Sequence, residues 1–339
     1  MERIVESRVP SSIFQSAIEH RQSNMSANLQ ADLPWHRPVL VEQVVEFLAP
    51  SPGAALVDCT AGTGGHSLAL LPHLLPIPLS AGPRQQAVAG RLIAIDCDAQ
   101  ALERAQRRLT EFHPHVQFVH DNFSQLPEVL KHLGVARVHG VLADLGMSSP
   151  QVDQPERGFS FLKDGPLDMR MDQRRAATAA SLIRQLSEHD LTTLLQTYGE
   201  ERWARRIAKR IVNARRIQPI RTTTQLARLA ADAIPSRVAS RHLHPATRTF
   251  LALRIAVNEE LASLKTLLDV LPDVLLPGGR AVIITFHSLE DRLVKQAFQR
   301  GARAGLLRLL TKKPVRPSAQ ELAENPRSRS AKLRAVERC

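Results

Sequence analysis

Between residues 54 and 144 short apolar runs alternate with amphipathic stretches, and few architectures accommodate that pattern. The runs at 54–58, Arg91–Asp96, Val116–His120 and Val138–Asp144 are of strand length, while the stretches after His66, at 98–109 and near 126–133 have helical apolar spacing. Strands separated by helices of this length form parallel β-α-β units with right-handed crossovers. The spacing therefore predicts a doubly wound α/β sheet. Ligands of such sheets sit beyond the carboxyl ends of the strands, which singles out the first strand-to-helix turn.

That turn, Asp58-Cys59-Thr60-Ala61-Gly62-Thr63-Gly64-Gly65-His66, runs from a carboxylate through three glycines into an apolar helical stretch at 67–75. Glycines let backbone approach a ligand closely, so a nucleotide-like cofactor is expected here. A nicotinamide fold wants G-x-G-x-x-G, with the third glycine inside the helix. The observed spacing does not fit it, whereas the looser loop suits S-adenosyl-L-methionine, which carries a sulfonium amino acid in place of a pyrophosphate. The ribose diol of that cofactor needs a carboxylate acceptor, and Asp96 ends the second strand where one is required. Its competing role is a helix cap, for which Asp98 is the better placed. Asp58 and the Gly64-Gly65 backbone would face the methionine end, and His66 reads either as a donor to it or as the start of the helix. Phe123, in His120-Asp121-Asn122-Phe123, reads as a partner for adenine or as core. The fourth strand runs into the small polar loop 144–151, where methyl donor and acceptor would meet.

The remaining chain is less regular. Residues 1–35 are polar without sustained periodicity and read as a mobile extension. A helix is expected at 39–48 after Pro38, and 72–83, rich in Pro, Leu and Gly, reads as a loop. Residues 151–243 contain amphipathic stretches and no convincing strand, which predicts a helical insertion. A long helix is expected over 247–271, then a turn at Pro277-Gly278-Gly279, a strand at 280–286, a helix at 289–298 and a closing strand at 331–336. The domain plan is thus an extension at 1–35, an α/β domain from 36–150 and 245–339, and a helical inserted domain at 151–244.

With 45 Lys and Arg against 33 Asp and Glu, the net charge is +12, which favours a polyanionic partner such as nucleic acid. Cys59, Cys97 and Cys339 have no spacing that suits zinc or a disulfide framework, and no ligand cluster points to a metal. A reducing cytoplasm is the expected setting. No stretch approaches the roughly 20 apolar residues needed to span a bilayer, and no apolar signal segment opens the chain.

Several separated strings now fall into one order: Gly64-Gly65-His66-Ser67, the loop 144–151, Arg157-Gly158-Phe159-Ser160-Phe161, residues 164–171, Tyr198-Gly199-Glu200-Glu201, residues 244–250, Phe286-His287-Ser288-Leu289-Glu290-Asp291 and residues 325–330. Over residues 36–338 the chain closely resembles the bacterial ribosomal RNA small subunit methyltransferase H family. The resemblance implies a Rossmann-like class I S-adenosylmethionine-dependent methyltransferase that methylates N4 of a cytidine in the decoding region of 16S rRNA. It implies Gly64, Gly65, His66, Asp96, Phe123, Asp144 and Gln151 as cofactor contacts; Gln151 comes from the resemblance alone. A relative acting on DNA or protein and a non-catalytic RNA-binding relative remain alternatives. Monomer and homodimer are both left open, as is the choice between naked RNA and the assembled small subunit.

An exocyclic cytosine amine is a poor nucleophile because its lone pair is delocalised into the ring. It must be held in line with the methyl–sulfur bond and given an N–H acceptor. Asp144 or a neighbouring loop carbonyl is the expected acceptor, with Ser148 or Ser149 orienting the base; the competing role of Asp144 is cofactor binding only. Phe159 and Phe161 are candidates to receive the unstacked base, or else are buried. In 201–216 the apolar stripe Trp203, Ile207 and Ile211 turns Arg202, Arg205, Arg206, Lys209, Arg210, Arg215 and Arg216 toward solvent, as an RNA-backbone surface would. Arg327, Arg329, Lys332 and Arg334 are expected to add phosphate contacts.

Overall fold

The computed structural model describes residues 38–76, 89–235 and 244–339. The sheet is built from β1 (Ala55–Asp58), β2 (Arg91–Asp96), β3 (Val116–His120), β4 (Val138–Asp144), β5 (Leu275–Thr285), β6 (Leu307–Leu309) and β7 (Lys332–Arg338). Their order is β3-β2-β1-β4-β5-β7-β6, parallel from β3 to β5 and antiparallel at β7 and β6. The fold is a Rossmann-like, doubly wound α/β sheet. Because β1 pairs with β2 on one side and β4 on the other, successive crossovers diverge there, and a crevice opens at the carboxyl ends of both strands.

Helices α1 (Val41–Leu48), α2 (Gly65–Leu74) and α3 (Ala99–Arg108) cover one face of the sheet through Val44, Leu48, Leu70, Leu71, Leu102 and Leu109. On the other face, α4 (Leu126–His132) and later helices bury Val129, Leu264, Leu268, Leu271, Val294 and Phe298. The strands are apolar on both sides because both faces are covered. Pro72 lies within α2, so the loop expected from that residue starts later; residues 77–88 fall outside the described set, as does the extension at 1–35.

After β4 the chain forms α5 (Ser149–Asp153), α6 (Ala179–Gln185), α7 (Glu188–Gly199), α8 (Ala204–Ile217) and α9 (Thr223–Ala233). Local chemistry starts several of them: Ser187 accepts from Asp190 N–H, and Thr178 and Thr222 form capping boxes with Ser181 and Gln225. These helices share a core of Leu191, Leu195, Ile207, Ile211, Leu226 and Phe250. Phe159 is buried in it, and Phe161 packs edge-on against Phe250, 4.8 Å between centroids, and against His244. Both phenylalanines therefore serve packing, which corrects the expectation that they receive a base.

The helix expected over 247–271 is two helices, α10 (Thr247–Asn258) and α11 (Glu260–Val274), broken at Glu259, whose φ of 53° is left-handed. Apolar periodicity continues across the break, so spacing alone could not reveal it. Pro277-Gly278-Gly279 forms a bulge inside β5, shifting its register with β4 between Val138↔Leu275 and Gly140↔Arg280, so the strand starts earlier than expected. Helix α12 (Ser288–Arg303) is longer than expected, and α13 (Ala319–Glu324) precedes β7.

Asn258, at the end of α10, ties the segment 169–171 to that helix. Its Oδ1 accepts from Met171 N–H at 2.8 Å, and its Nδ2 donates to the carbonyls of Met169 and Arg254 at 2.8 and 2.9 Å. Replacing Asn258 by Ala leaves buried backbone groups of residues 169 and 171 without partners. Denaturant unfolding should show a loss on the order of 2–4 kcal/mol.

Candidate functional site

The site begins where β1 ends. Asp58 is buried; its Oδ2 accepts from Ser67 Oγ at 2.7 Å and its Oδ1 from Thr60 N–H at 3.2 Å. Burial pushes its carboxyl above the usual range, against the opposing influence of His66 and Ser67. The turn then coils through Gly62 and Gly64, both at positive φ. A Cβ at Gly64 would lie 3.2 Å from Leu109 Cδ1, so Gly64 is required for close packing of α2 on α3 and does not line the crevice; Gly65 does. At the end of β2, Asp96 accepts from Gly62 N–H at 2.7 Å and from Asp98 N–H at 2.8 Å. Burial raises its carboxyl to about 7 despite these bonds. Asp98 caps α3 by accepting from Gln100 N–H, the role anticipated for it.

Asp144 ends β4 opposite this turn. Its N–H donates to Thr60 Oγ1 at 2.6 Å, its Oδ2 lies 3.6 Å from His66 Nδ1, and its buried Oδ1 has no hydrogen-bond partner. Burial raises this carboxyl to about 6, with His66 pulling the other way. His66 is both the second residue of α2 and a wall of the crevice; its Nε2 donates to the Val39 carbonyl at 2.8 Å.

The crevice encloses about 390 Å3 and is lined by Gly65, His66, Asp96, Phe123, Asp144, Ser148, Ser149 and Gln151 among others. Phe123 faces it and packs on the sheet core at once. Gln151 has both amide atoms engaged: Nε2 donates to Asp98 Oδ2 at 2.7 Å and Oε1 accepts from Ser148 N–H at 3.0 Å. Asp98 Oδ2 also meets Arg157 at 2.8 Å, and Arg157 donates to the carbonyls of Arg170 and Met171. Gln151 is thus one link of a buried chain that ties the start of α3 to the insertion. Ser149 Oγ accepts from Arg327, which also grips Asp153 at 2.6 Å.

Four further lining residues, Met171, Arg254, Glu260 and Glu290, escaped the sequence reading. Arg254 holds both oxygens of Glu260 at 2.7 Å, and Glu290 Oε2 accepts from the backbone of Phe286 and His287. Glu290 stands three residues after the capping His287 in 286–291, the one signal that could have placed it. Ligand atoms of Glu260, His287 and Glu290 lie within 4.8 Å of one another, a grouping that spacing along the chain did not disclose. Arg254 pairs with Glu260 there, the backbone N–H groups of Phe286 and His287 engage Glu290 Oε2, and His287 Nε2 lies 3.1 Å from Glu290 Oε1.

An acid-rich crevice inside a basic chain is the electrostatic signature of the site. Asp96, Asp144, Glu260 and Glu290 line it, Asp58 lies just beneath, and Asp144 keeps an oxygen free of partners. Such a donor set fits a ligand carrying sulfonium and ammonium charges, and Asp96 fits a diol.

A family model described as the MraW methylase family matches residues 34–339. The chain belongs to that family. Its cofactor is S-adenosylmethionine. Curated relatives named ribosomal RNA small subunit methyltransferase H include those of Geobacter sulfurreducens, 48% identical over 318 residues (89% of this chain, 98% of the relative), and Syntrophobacter fumaroxidans, 46% identical over 318 residues (89% and 96%). Among solved structures, an rRNA methylase from Streptococcus thermophilus aligns at a TM-score of 0.41 and 11% identity, covering 89% of this chain and 97% of that one.

Two ribose hydroxyls bind best to an ionised carboxylate, and Asp96 sits at about 7 in the cofactor-free protein. Calorimetric titration should therefore show cofactor affinity rising by up to about tenfold per pH unit toward pH 7 and levelling above it. Asp96→Asn should bind more weakly and lose that slope; an unchanged slope would assign it to another group.

Proposed function

We propose that this protein methylates the exocyclic N4 of a cytidine in the decoding region of 16S rRNA. Its relatives' name supports rRNA of the small subunit as substrate. The observation that carries the N4 reading is Asp144 Oδ1, a buried acceptor without a partner at the edge of the cofactor crevice. When bound, S-adenosylmethionine supplies a methyl group on a sulfonium, open to in-line attack. The protein's own part is to seat the amine, accept one of its N–H hydrogens and exclude water. Asp144 is the acceptor: hydrogen bonding to its carboxylate pulls the amine toward tetrahedral geometry and localises the lone pair. A carboxyl at about 6 is largely ionised at neutral pH yet basic enough to receive the proton. Ser148 orients the base, while Ser149 and Arg327 close the rim.

RNA approaches over α8. Ile207 and Ile211 are buried, and Arg202, Arg205, Arg206, Lys209, Arg210 and Arg216 are exposed. Arg202 and Arg206 lie over the Trp203 ring, Arg210 pairs with Asp232, and Arg215 donates to the Ile183 carbonyl. Two of the C-terminal cations are withdrawn from this role: Arg334 is 7% exposed and shares Asp291 with Lys332, whereas Arg327, paired with Asp153, and Arg329 are exposed. Among the described residues no helix is long and apolar enough to cross a membrane, and the site of action proposed is the cytoplasm, on the small ribosomal subunit or its RNA.

Mass mapping of 16S rRNA from cells lacking the protein should show loss of one N4-methylcytidine, restored by the wild-type chain. Asp144→Asn should restore little, with turnover lowered about 10²- to 10⁴-fold. Full restoration by that variant would remove Asp144 from the chemistry. RNA binding should weaken steeply with salt, and Arg205→Ala should reduce the slope of log affinity against log salt by about one.

A further inference from the structure

Sheet order divides the crevice at Asp144, the end of β4. On one side lie Gly65, Asp96 and Phe123, at the ends of β1, β2 and β3, the expected cofactor contacts. On the other lie Phe286 and Glu290, just after β5, with Glu260 and its partner Arg254 reaching them from α11 and α10. The chemistry assigned to Asp144 leaves this second side unused, yet it holds a guanidinium that is only 8% exposed. Arg254 spends its side-on edge on Glu260: Nε donates to Oε1 and Nη2 to Oε2, each at 2.7 Å. A guanidinium carries five N–H donors in one plane, so its end-on fork, with one hydrogen on Nη1 and the second on Nη2, remains. Nη1 has no partner among the described residues and is not one of their enclosed orphans, so it opens on the space that Arg254 lines. Glu260 already balances the charge, and Glu290 acts on Arg254 and Asp144 alike. A second anion at the fork would meet both glutamates; a neutral pair of acceptors would not.

We propose that Arg254 reads the target base: its end-on fork donates to N3 and O2 of the cytosine ring while Asp144 accepts from N4. This rests on the reading of a cytidine as target and of Asp144 as its N–H acceptor. Two parallel N–H groups suit two neighbouring in-plane acceptors, as they suit a carboxylate or the edge of a guanine. Uracil would set O4 against Asp144 and N3–H against Arg254, acceptor on acceptor and donor on donor. Adenine offers an amine beside N1 but a C–H where cytosine has O2, which leaves one N–H of the fork unpaired in a buried site. One carboxylate and one guanidinium thus select cytosine against both. Donation into the ring draws on the N4 lone pair, so Arg254 selects and places the base, and activation stays with Asp144.

A single-atom change in the RNA, crossed with a change in the protein, tests the contact. 3-Deazacytidine keeps N4 and O2 and replaces N3 by C–H. Placed at the target position of reconstituted small ribosomal subunits, it should lower kcat/KM of the wild-type protein about 10- to 100-fold. Arg254→Leu combined with Glu260→Leu removes the ion pair as a unit, so neither charge is stranded. That variant should be slower on natural subunits by a similar factor, and the analogue should cost it no more than about twofold. Arg254→Lys, which keeps a cation for Glu260 but no fork, should also lose about tenfold on natural subunits. An analogue penalty equal in the wild type and the paired variant, or absent from the wild type, would overturn the proposal, since a merely structural role does not follow N3. Calorimetry with S-adenosylhomocysteine should give affinities within about threefold of wild type for both variants; a loss of tenfold or more in Arg254→Lys, with thermal unfolding unchanged, would move Arg254 to the cofactor. If Asp144→Asn keeps wild-type turnover, or mapping finds no N4-methylcytidine that depends on this protein, the reading of the function falls and this inference with it. If that base is found and both Arg254 variants methylate it at the wild-type rate, the inference alone falls.

Discussion

Burial of carboxylates at the carboxyl ends of three adjacent strands is the interaction on which the rest of the structure turns. Asp58, Asp96 and Asp144 end β1, β2 and β4, and desolvation raises all three. Isolated buried charges are costly, so each must be held by backbone or hydroxyl donors or take up a proton. Gly62 and Asp98 serve Asp96, and Thr60 and Ser67 serve Asp58. These bonds dictate the coil of the first turn, and the coil in turn dictates where α2 starts and where His66 points.

The same burial separates two electrostatic tasks in one chain. The chain as a whole carries a net charge of +12, and α8 contributes Arg205, Arg206, Lys209, Arg210 and Arg216 to its exposed surface, the face proposed to meet an RNA backbone. The crevice is lined by carboxylates of the opposite sign, Asp96, Asp144, Glu260 and Glu290.

Much of this was legible in the chain. Strands β2 and β4 fall where apolar runs end in Asp96 and Asp144, because a strand buried on both faces leaves an unbroken apolar signature, and the edge strand β3 was placed by its run Val116–His120. Asp96 and Asp144 were legible because strand ends point at the crevice by construction. The break at Glu259 was not, since a left-handed residue leaves apolar periodicity intact on either side. Arg254, Glu260 and Glu290 were hidden for a related reason: their partners come from different elements, and an Arg–Glu pair six residues apart reads as a solvated helix face until the turn between them is known. The C-terminal cations misled in the opposite sense. Lys332 and Arg334 looked free because Asp291, which holds both, is remote in sequence.

The kink at Glu259 acts as a phase shifter. An α-helix turns about 100° per residue, so a straight continuation of α10 would carry every rotation error made in the insertion into the residues that cover the sheet. With the helical count restarted at Glu260, the azimuth of Leu264, Leu268 and Leu271 is set locally, independent of what precedes it. The helices before the break and the apolar face that α11 lays on the sheet are thereby uncoupled in helical phase.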